Sequence, residues 1–497
     1  MASLARHRAL LLLLGAGLAL CLVLAFVLFP GQGYAGDLGL FWQWATALAA
    51  NGPGGFYASV SSANYPPGYL FVLWPIGLLG QPALLKLPAI LADVAIAALL
   101  YAGGTRWHGP RVGLVAAGLF LFLPVSWYDS ALWGQVDAVG TMVVLAALLL
   151  LVEGWSEAAL ATAVLAILVK PQYAIALGVV VPVLVRRHLL RPGSGPMPVI
   201  GPRLSRLDAA LGGLLRDQGP RRLASSAVLA GLVAILVLLP FDIATCAPAS
   251  LADVPVIGNV AGLLGLFGRL GSEFSVLTAN AYNPWALVGS PSLAAVVGGG
   301  SGSWLADSLP VLGSIPAVTV GAVLLVLVGA VVAGGLLVRD GTAPILLGFT
   351  VLALAFFVLP TRVHERYLFP FFATGALLAA PGIGRAAALA VMALMGTINL
   401  HAVLAGNLFI GTGTGGGRGG FGGGGGGRGG FAGAGGGGPG FGAINLPFGD
   451  LARDQVVVTA VAIALGAAMI ILLATWAVLV LRPSSARLRV RRPAWSR

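Results

Sequence analysis

The chain has 497 residues, 58% hydrophobic and 9% charged, with a mean hydropathy of +0.96 and a formal net charge of +12. A soluble domain carries about 25% charged residues, so this chain cannot coat a water-facing surface, and its apolar runs recur from end to end. That excludes a secreted globular enzyme, the two cysteines (Cys21 and Cys246) exclude a disulfide scaffold, and the composition argues against a cytosolic nucleic-acid binder.

A hydrocarbon core about 30 Å thick needs roughly 20 apolar residues per helix. The apolar runs predict spans over 9–29, 84–102, 112–127, 138–152, 158–170, 172–185, 223–240, 311–338, 342–360, 367–381, 386–403 and 455–481. Tyr34-Ala35-Gly36 is a weak signal-peptide cleavage site, but the first run is longer than a usual signal core and is read as a retained anchor. Residues 69–80 are apolar but number only twelve, which fits an interfacial or re-entrant helix better than a span. With 69–80 lying flat and the N-terminus cytoplasmic, 20 Arg fall inside; Arg269, Arg362, Arg366, Arg418, Arg428 and Arg453 fall outside. If 69–80 crossed, the parity would flip and the basic loop 186–222 would face out. Acids sort the opposite way: ten outside, five inside and Asp93 within a span.

The expected architecture is an all-α polytopic membrane protein with about twelve transmembrane helices, range 10–13. Both termini are expected in the cytoplasm. Residues 1–403 form the body, including the first outer loop 30–83 and the basic loop 186–222. Residues 404–454 form a Gly-rich outer loop, 455–481 the last span and 482–497 a basic tail. Within that loop, 411–444 is almost pure Gly, with Arg418-Gly-Gly-Phe421 and Arg428-Gly-Gly-Phe431. Such runs can bind nucleic acid; on the outer face, a disordered linker without chemistry is expected.

Five polar clusters fall on the outer face. They are Asp37 with Phe41-Trp42-Gln43-Trp44; Asn64-Tyr65-Pro66-Pro67-Gly68-Tyr69; Trp127-Tyr128-Asp129-Ser130 running into Trp133-Gly134-Gln135-Val136-Asp137; Lys170-Pro171-Gln172-Tyr173; and Thr361 to Tyr367. Taken singly, Trp42, Trp44, Trp127 and Tyr128 read as interfacial anchors, Tyr-Pro-Pro as a helix stop and restart, and the charges as solvated. Their convergence says more. Carboxylates (Asp37, Asp137, Glu365), amides (Gln135, Gln172) and bases (Lys170, His364, Arg366) share one face. A carboxylate can take a proton from a hydroxyl, and bases can neutralise a departing phosphate, Arg bidentately. Asp93, mid-span, must face protein or a cavity. Lys86 is about 10 Å away along the axis, too far for contact, and structural and functional roles for Asp93 stay open. The five His are scattered without ligand spacing, and there is no phosphate-binding Gly-x-x-x-x-Gly-Lys loop or Gly-x-Ser-x-Gly elbow.

Asp37, Tyr65-Pro66-Pro67, Trp133 to Asp137, Lys170-Pro171-Gln172 and His364-Glu365-Arg366-Tyr367-Leu368-Phe369-Pro370, in this order, resemble the GT-C superfamily of membrane glycosyltransferases. The likeness is to prokaryotic mannosyltransferases related to the second GPI mannosyltransferase and, more distantly, to the dolichyl-phosphate-glucose glucosyltransferases. It covers Asp37 to Tyr173 and 361–370; residues 186–350 and 386–497 carry no matching motif. The resemblance implies a many-helix body with interfacial helices in the first outer loop. It implies an inverting enzyme that moves a hexose, mannose favoured, from a polyprenyl-phosphate sugar to a lipid-linked or cell-envelope acceptor. The reaction would lie on the extracytoplasmic face of the cell membrane. Asp37 maps to the general base. Lys170, His364 and Arg366 are candidates for the donor phosphate, and Gln135, Gln172 and Glu365 for sugar hydroxyls. Asp137 belongs to the same donor-binding set, with Tyr65, Asp129 and Asp93 supporting. Many relatives carry two adjacent acids in the first loop, whereas here Leu38 follows Asp37; a divalent metal is therefore not favoured, and no cofactor is expected. Within 241–310, Asn280-Ala281-Tyr282-Asn283-Pro284-Trp285 is a candidate acceptor-side loop. The competing function is a transporter or lipid-linked oligosaccharide flippase, which should show internal symmetry and midplane polar residues; neither is evident. A structural envelope partner is a third.

Overall fold

The structure, a computed structural model, describes residues 2–210, 212–288, 305–406 and 441–482. Most of the Gly-rich stretch (407–440), the tail beyond Arg482 and part of 241–310 (289–304) lie outside the described residues. The fold rests on α1 (Ala2–Leu22), α2 (Ala35–Asn51), α3 (Pro67–Leu79), α4 (Leu87–His108), α5 (Pro110–Phe122), α6 (Asp137–Val152), α7 (Ser156–Val169) and α8 (Leu177–Val185). These are followed by α9 (Pro220–Leu238), α10 (Ile257–Glu273), α11 (Ala317–Val338), α12 (Thr342–Val358), α13 (Phe369–Ala379), α14 (Ile383–Gly406) and α15 (Gln455–Leu481).

Among the described residues, seven helical segments are long and apolar enough to cross a membrane: Arg8–Leu28, Pro82–His108, Pro171–Leu190, Pro220–Leu238, Ala317–Val338, Ile383–Ala405 and Gln455–Leu481. An eighth is α5 with Pro124–Trp133, bent by 48°. Pro124 causes the bend: it forces Leu123 into an extended conformation, φ −63° and ψ 132°. The other four predicted spans are α6, α7, α12 and α13, of 16, 14, 17 and 11 residues. Each falls short of a ~30 Å core at ~1.5 Å per residue. They are enclosed by other helices; in α12, for example, thirteen residues are buried. A helix surrounded by protein need not match the lipid thickness. Around them, α1, α9, α11 and α15 expose Leu12, Leu236, Val326 and Ile470, each more than 60% accessible. A band of that kind is compatible with lipid and not with water. The protein is thus an all-α, multi-pass membrane protein in a bilayer.

Two groups of contacts organise the bundle, one around the 186–222 loop and one around the segments that carry the polar motifs. In the first group, Arg186 Nη1 meets Asp340 Oδ1 at 2.6 Å, Arg187 Nε bonds the other Asp340 oxygen, and Arg222 Nε meets Glu157 Oε1 at 3.1 Å. Arg222 also donates to Gly154 O at 2.7 Å. The 186–222 loop is therefore tied down by buried Arg rather than wholly solvated, since each guanidinium has more donors than its acid can take and spends the rest on helix-end carbonyls.

In the second group, residues 278–285 form a strap. Asn399 Nδ2 donates to Asn280 O (2.8 Å) and Asn399 Oδ1 accepts from Tyr282 N (2.9 Å). Asn283 Nδ2 bonds Phe357 O, and Trp285 Nε1 bonds Leu359 O. Ala279 N donates to Val363 O at 2.9 Å. The segment predicted as an acceptor-side loop is thus buried scaffolding: it satisfies the last carbonyls of α12 and supports the 361–367 turn.

Candidate functional site

The four segments with polar motifs and the first turn of α2 converge beside the strap. Asp37 lies in that first turn. Its Oδ2 accepts from Trp133 Nε1 at 2.8 Å and Gln135 Nε2 at 2.7 Å, with Arg366 Nη1 4.0 Å away. Among the described residues, the hydrogen bonds to the Asp37 carboxylate fall on Oδ2, and the side chain is 18% exposed.

Trp133 ends a π-helical turn, Tyr128–Trp133, whose C-terminal carbonyls are clamped by Lys86 Nζ at Ala131 O (2.8 Å) and Leu132 O (3.1 Å). Gly134 follows at φ +87°, a left-handed conformation suited to glycine, and turns the chain so that Gln135 and Asp137 face the same space. Tyr34 stacks on Trp133 with centroids 4.5 Å apart, and the Arg366 guanidinium lies 5.8 Å over the indole.

Asp137, at the N-terminus of α6, is fully buried. Its Oδ1 accepts from Lys170 Nζ (2.9 Å) and Gln172 Nε2 (2.8 Å), and its Oδ2 faces Arg366 Nε at 3.7 Å. Its carbonyl accepts from Tyr173 OH at 2.7 Å. Tyr173 fits because residue 140 is Gly; a Cβ there would sit 1.9 Å from the ring. The Lys170 ammonium lies 5.8 Å over the Tyr65 ring and 5.2 Å over the Tyr367 ring. Arg366 Nη1 also pairs with Glu365 Oε1 at 2.6 Å. Asp137 Oδ2, Gln172 Oε1, Glu365 Oε2 and Arg366 Nε are buried without a hydrogen bond, as are both oxygens of Asp129. Polar atoms so placed are costly unless a partner arrives.

Asp37, Tyr65, Asp129, Gln135, Asp137, Lys170, Gln172, His364, Glu365 and Arg366 are thus brought together. Asp93, buried on α4, stands at the edge of this group, beside Ser130 and within electrostatic reach of Asp129. Asp137 is enclosed between Lys170 and Arg366, whose charges it holds together. His364 is packed against Phe274 and Tyr367, with centroids 4.7 and 5.3 Å apart; burial, then Arg366 and Lys170, hold its pKa well below the usual histidine value. Trp44 and Tyr128, read as interfacial anchors, are buried in the core. Trp133, Tyr367 and Lys86 were missed as site residues. The available signal was that a buried indole N–H and a buried ammonium each need a named partner.

Burial pushes the Glu365 carboxyl above the usual range against the opposing pull of Arg366. Four acidic side chains (Asp37, Asp129, Asp137, Glu365) gather around the cations Lys170 and Arg366. Among the described residues no group of three or more His, Cys, Asp or Glu could hold a metal ion. Arg366 lies between Asp37 and Asp137, where a bridging cation would have to sit. The chain matches no known protein-family model and no curated protein sequence.

Proposed function

We propose that the protein is an inverting membrane glycosyltransferase of the GT-C type, with about twelve helices in its body. It moves a hexose, mannose favoured, from a polyprenyl-phosphate sugar to a lipid-linked or cell-envelope acceptor. The observation that carries this is the pairing of Asp37, held at Oδ2 and partly exposed, with Arg366 4.0 Å away, which shares Asp137 with Lys170. The Arg distribution supports a cell membrane orientation with the site outside, since 20 of 26 Arg fall inside on the twelve-span topology read from the sequence. On this orientation α2 and α3 are the interfacial helices of the first outer loop.

Asp37 Oδ1 takes the proton of the acceptor hydroxyl as its oxygen attacks the anomeric carbon from the side opposite the phosphate. The bond from that carbon to the phosphate oxygen breaks, its electrons pass to the phosphate, and configuration inverts. Arg366 and Lys170 stabilise the leaving charge, so no second acid and no metal is required of the chain. Gln135 and Gln172, each already oriented by a carboxylate, offer amide groups to the sugar. A transporter would place its polar residues at the midplane, whereas these fall on the outer face of the twelve-span topology read from the sequence.

The test is transfer in isolated membranes from radiolabelled polyprenyl-phosphate mannose, with glucose and arabinose donors in parallel. Label in a lipid-linked or envelope product is expected with the mannose donor. Silence with all three donors at verified expression overturns the proposal. The same assay has an expected pH signature. As pH rises through the raised Glu365 pKa, the site gains negative charge and the anionic donor binds less well, so donor KM rises by up to about tenfold per pH unit. In Glu365→Gln that rise should disappear; an unchanged slope would assign the titration to another group.

A further inference from the structure

The helix α10 is neither long enough nor apolar enough to count among the membrane-crossing or short apolar helices, yet it is strongly two-sided. Ile257, Val260 and Leu264, at spacing i, i+3, i+7, are 54%, 45% and 64% exposed, and Leu251 and Val254 extend the apolar strip. Its other side, Gly258, Gly262 and Leu266, is buried. There α10 lies flush on the preceding turn: a Cβ at Gly262 would meet Ile243 O at 2.0 Å, and one at Gly265 would meet Cys246 O at 2.4 Å. The exposed strip therefore cannot turn inward.

Beside it runs α9, a membrane-crossing helix with only 22% of its span buried. A shallow seam joins the two, lined by Ile235, Leu238 and Leu239 on one side and Val256, Asn259 and Val260 on the other. The apolar strip of α10 is thus continuous with a lipid-facing surface. Its polar end reaches the candidate site. Glu273 accepts from Asn64 Nδ2 at 2.9 Å, Gly271 O accepts from Arg362, and Phe274 packs on the His364 ring.

We infer that α10 is an in-plane helix whose Leu251–Leu264 strip docks on the acyl-chain boundary of the bilayer, setting the height of the loops that carry Tyr65 and Arg366. Lipid chains are the occupant because the strip continues the apolar surface of α9 and its helical part, Ile257, Val260 and Leu264, carries no charge; the exposed Asp253 stands before the helix, between Leu251 and Val254. This rests on α9 crossing the bilayer and not on the proposed transfer reaction.

The test uses the full chain with Cys21→Ala and Cys246→Ser, the serine keeping an acceptor for Arg269. A single cysteine is introduced by Leu264→Cys, or at exposed Ser272 by Ser272→Cys, and labelled with an environment-sensitive fluorophore. The protein is reconstituted in phosphatidylcholine vesicles with or without acyl-brominated lipid. Brominated lipid should quench the label at 264 about threefold or more beyond that at 272, and aqueous iodide should show the reverse order. Equal access of iodide to both sites overturns the inference. So does protection of 264 from both quenchers, which would assign the strip to a protein partner. Val260→Cys repeats the measurement about one turn earlier if Leu264→Cys fails to fold.

Discussion

Asp37→Asn should lower sugar transfer by about a hundredfold or more, the range expected when a positioned general base is lost. The asparagine is nearly isosteric, and its carbonyl still accepts from Trp133 Nε1 and Gln135 Nε2, which now hold Asp37 Oδ2 at 2.8 and 2.7 Å. What changes is Oδ1: an amide group takes its place, and an amide does not take a proton. The lost charge also leaves Arg366, 4.0 Å from Asp37, less neutralised. Donor KM should therefore stay level or fall while kcat collapses. That split separates the base from a structural carboxylate, whose removal would disturb Arg366 and raise donor KM. Steady-state kinetics in membranes with matched expression read it directly. A kcat within about tenfold of wild type would remove Asp37 from the chemistry.

Much of this arrangement was legible because each motif is local. Trp133 to Asp137 and Lys170 to Gln172 are short segments, and the turn chemistry of Gly134 and Pro171 places their polar groups together. The apolar runs gave the helices as well, but not their depths. Hydropathy does not distinguish a lipid-facing helix such as α11 from an enclosed one such as α12, because both are apolar on all sides. The pairings were out of reach for another reason. Trp133 and Asp37 are 96 residues apart, and Asn399 and Asn280 are 119 apart. Nothing in local sequence says that an indole serves a carboxylate or that an asparagine ties a strap. His364 shows the same limit: its residue type does not say that it is enclosed, nor that burial, with Arg366 and Lys170 nearby, lowers its pKa.

The largest loss of stability is expected at Asp137. Its side chain is fully buried; Lys170 is 5% and Arg366 11% exposed. Asp137→Ala removes the one carboxylate bonded to Lys170 and leaves its ammonium the faces of Tyr65 and Tyr367, at 5.8 and 5.2 Å, and the unbonded Asp129 nearby. A cation over an aromatic ring is worth about 0.5–2 kcal/mol, whereas breaking a buried ion pair by removing one partner costs about 3–5 kcal/mol. The rings cannot make up the difference, so Asp137→Ala should unfold well before wild type in detergent, and transfer should vanish with it. Removing the second charge reverses the sign. Asp137→Asn with Lys170→Met leaves neither an unpaired ammonium nor an unpaired carboxylate at this pair, so much of the lost stability should return, while transfer stays absent because the phosphate has lost one of its two cations. Thermal unfolding of the single and double variants separates the cases. If the double variant is no more stable than Asp137→Ala, the helix start at Asp137 matters for its packing and its carbonyl bond to Tyr173, and the ion pair does not set the stability of this site. If stability returns without activity, the charges at Asp137 and Lys170 serve the site at the expense of the fold, as expected for a buried pair that a well-packed apolar substitute would outdo.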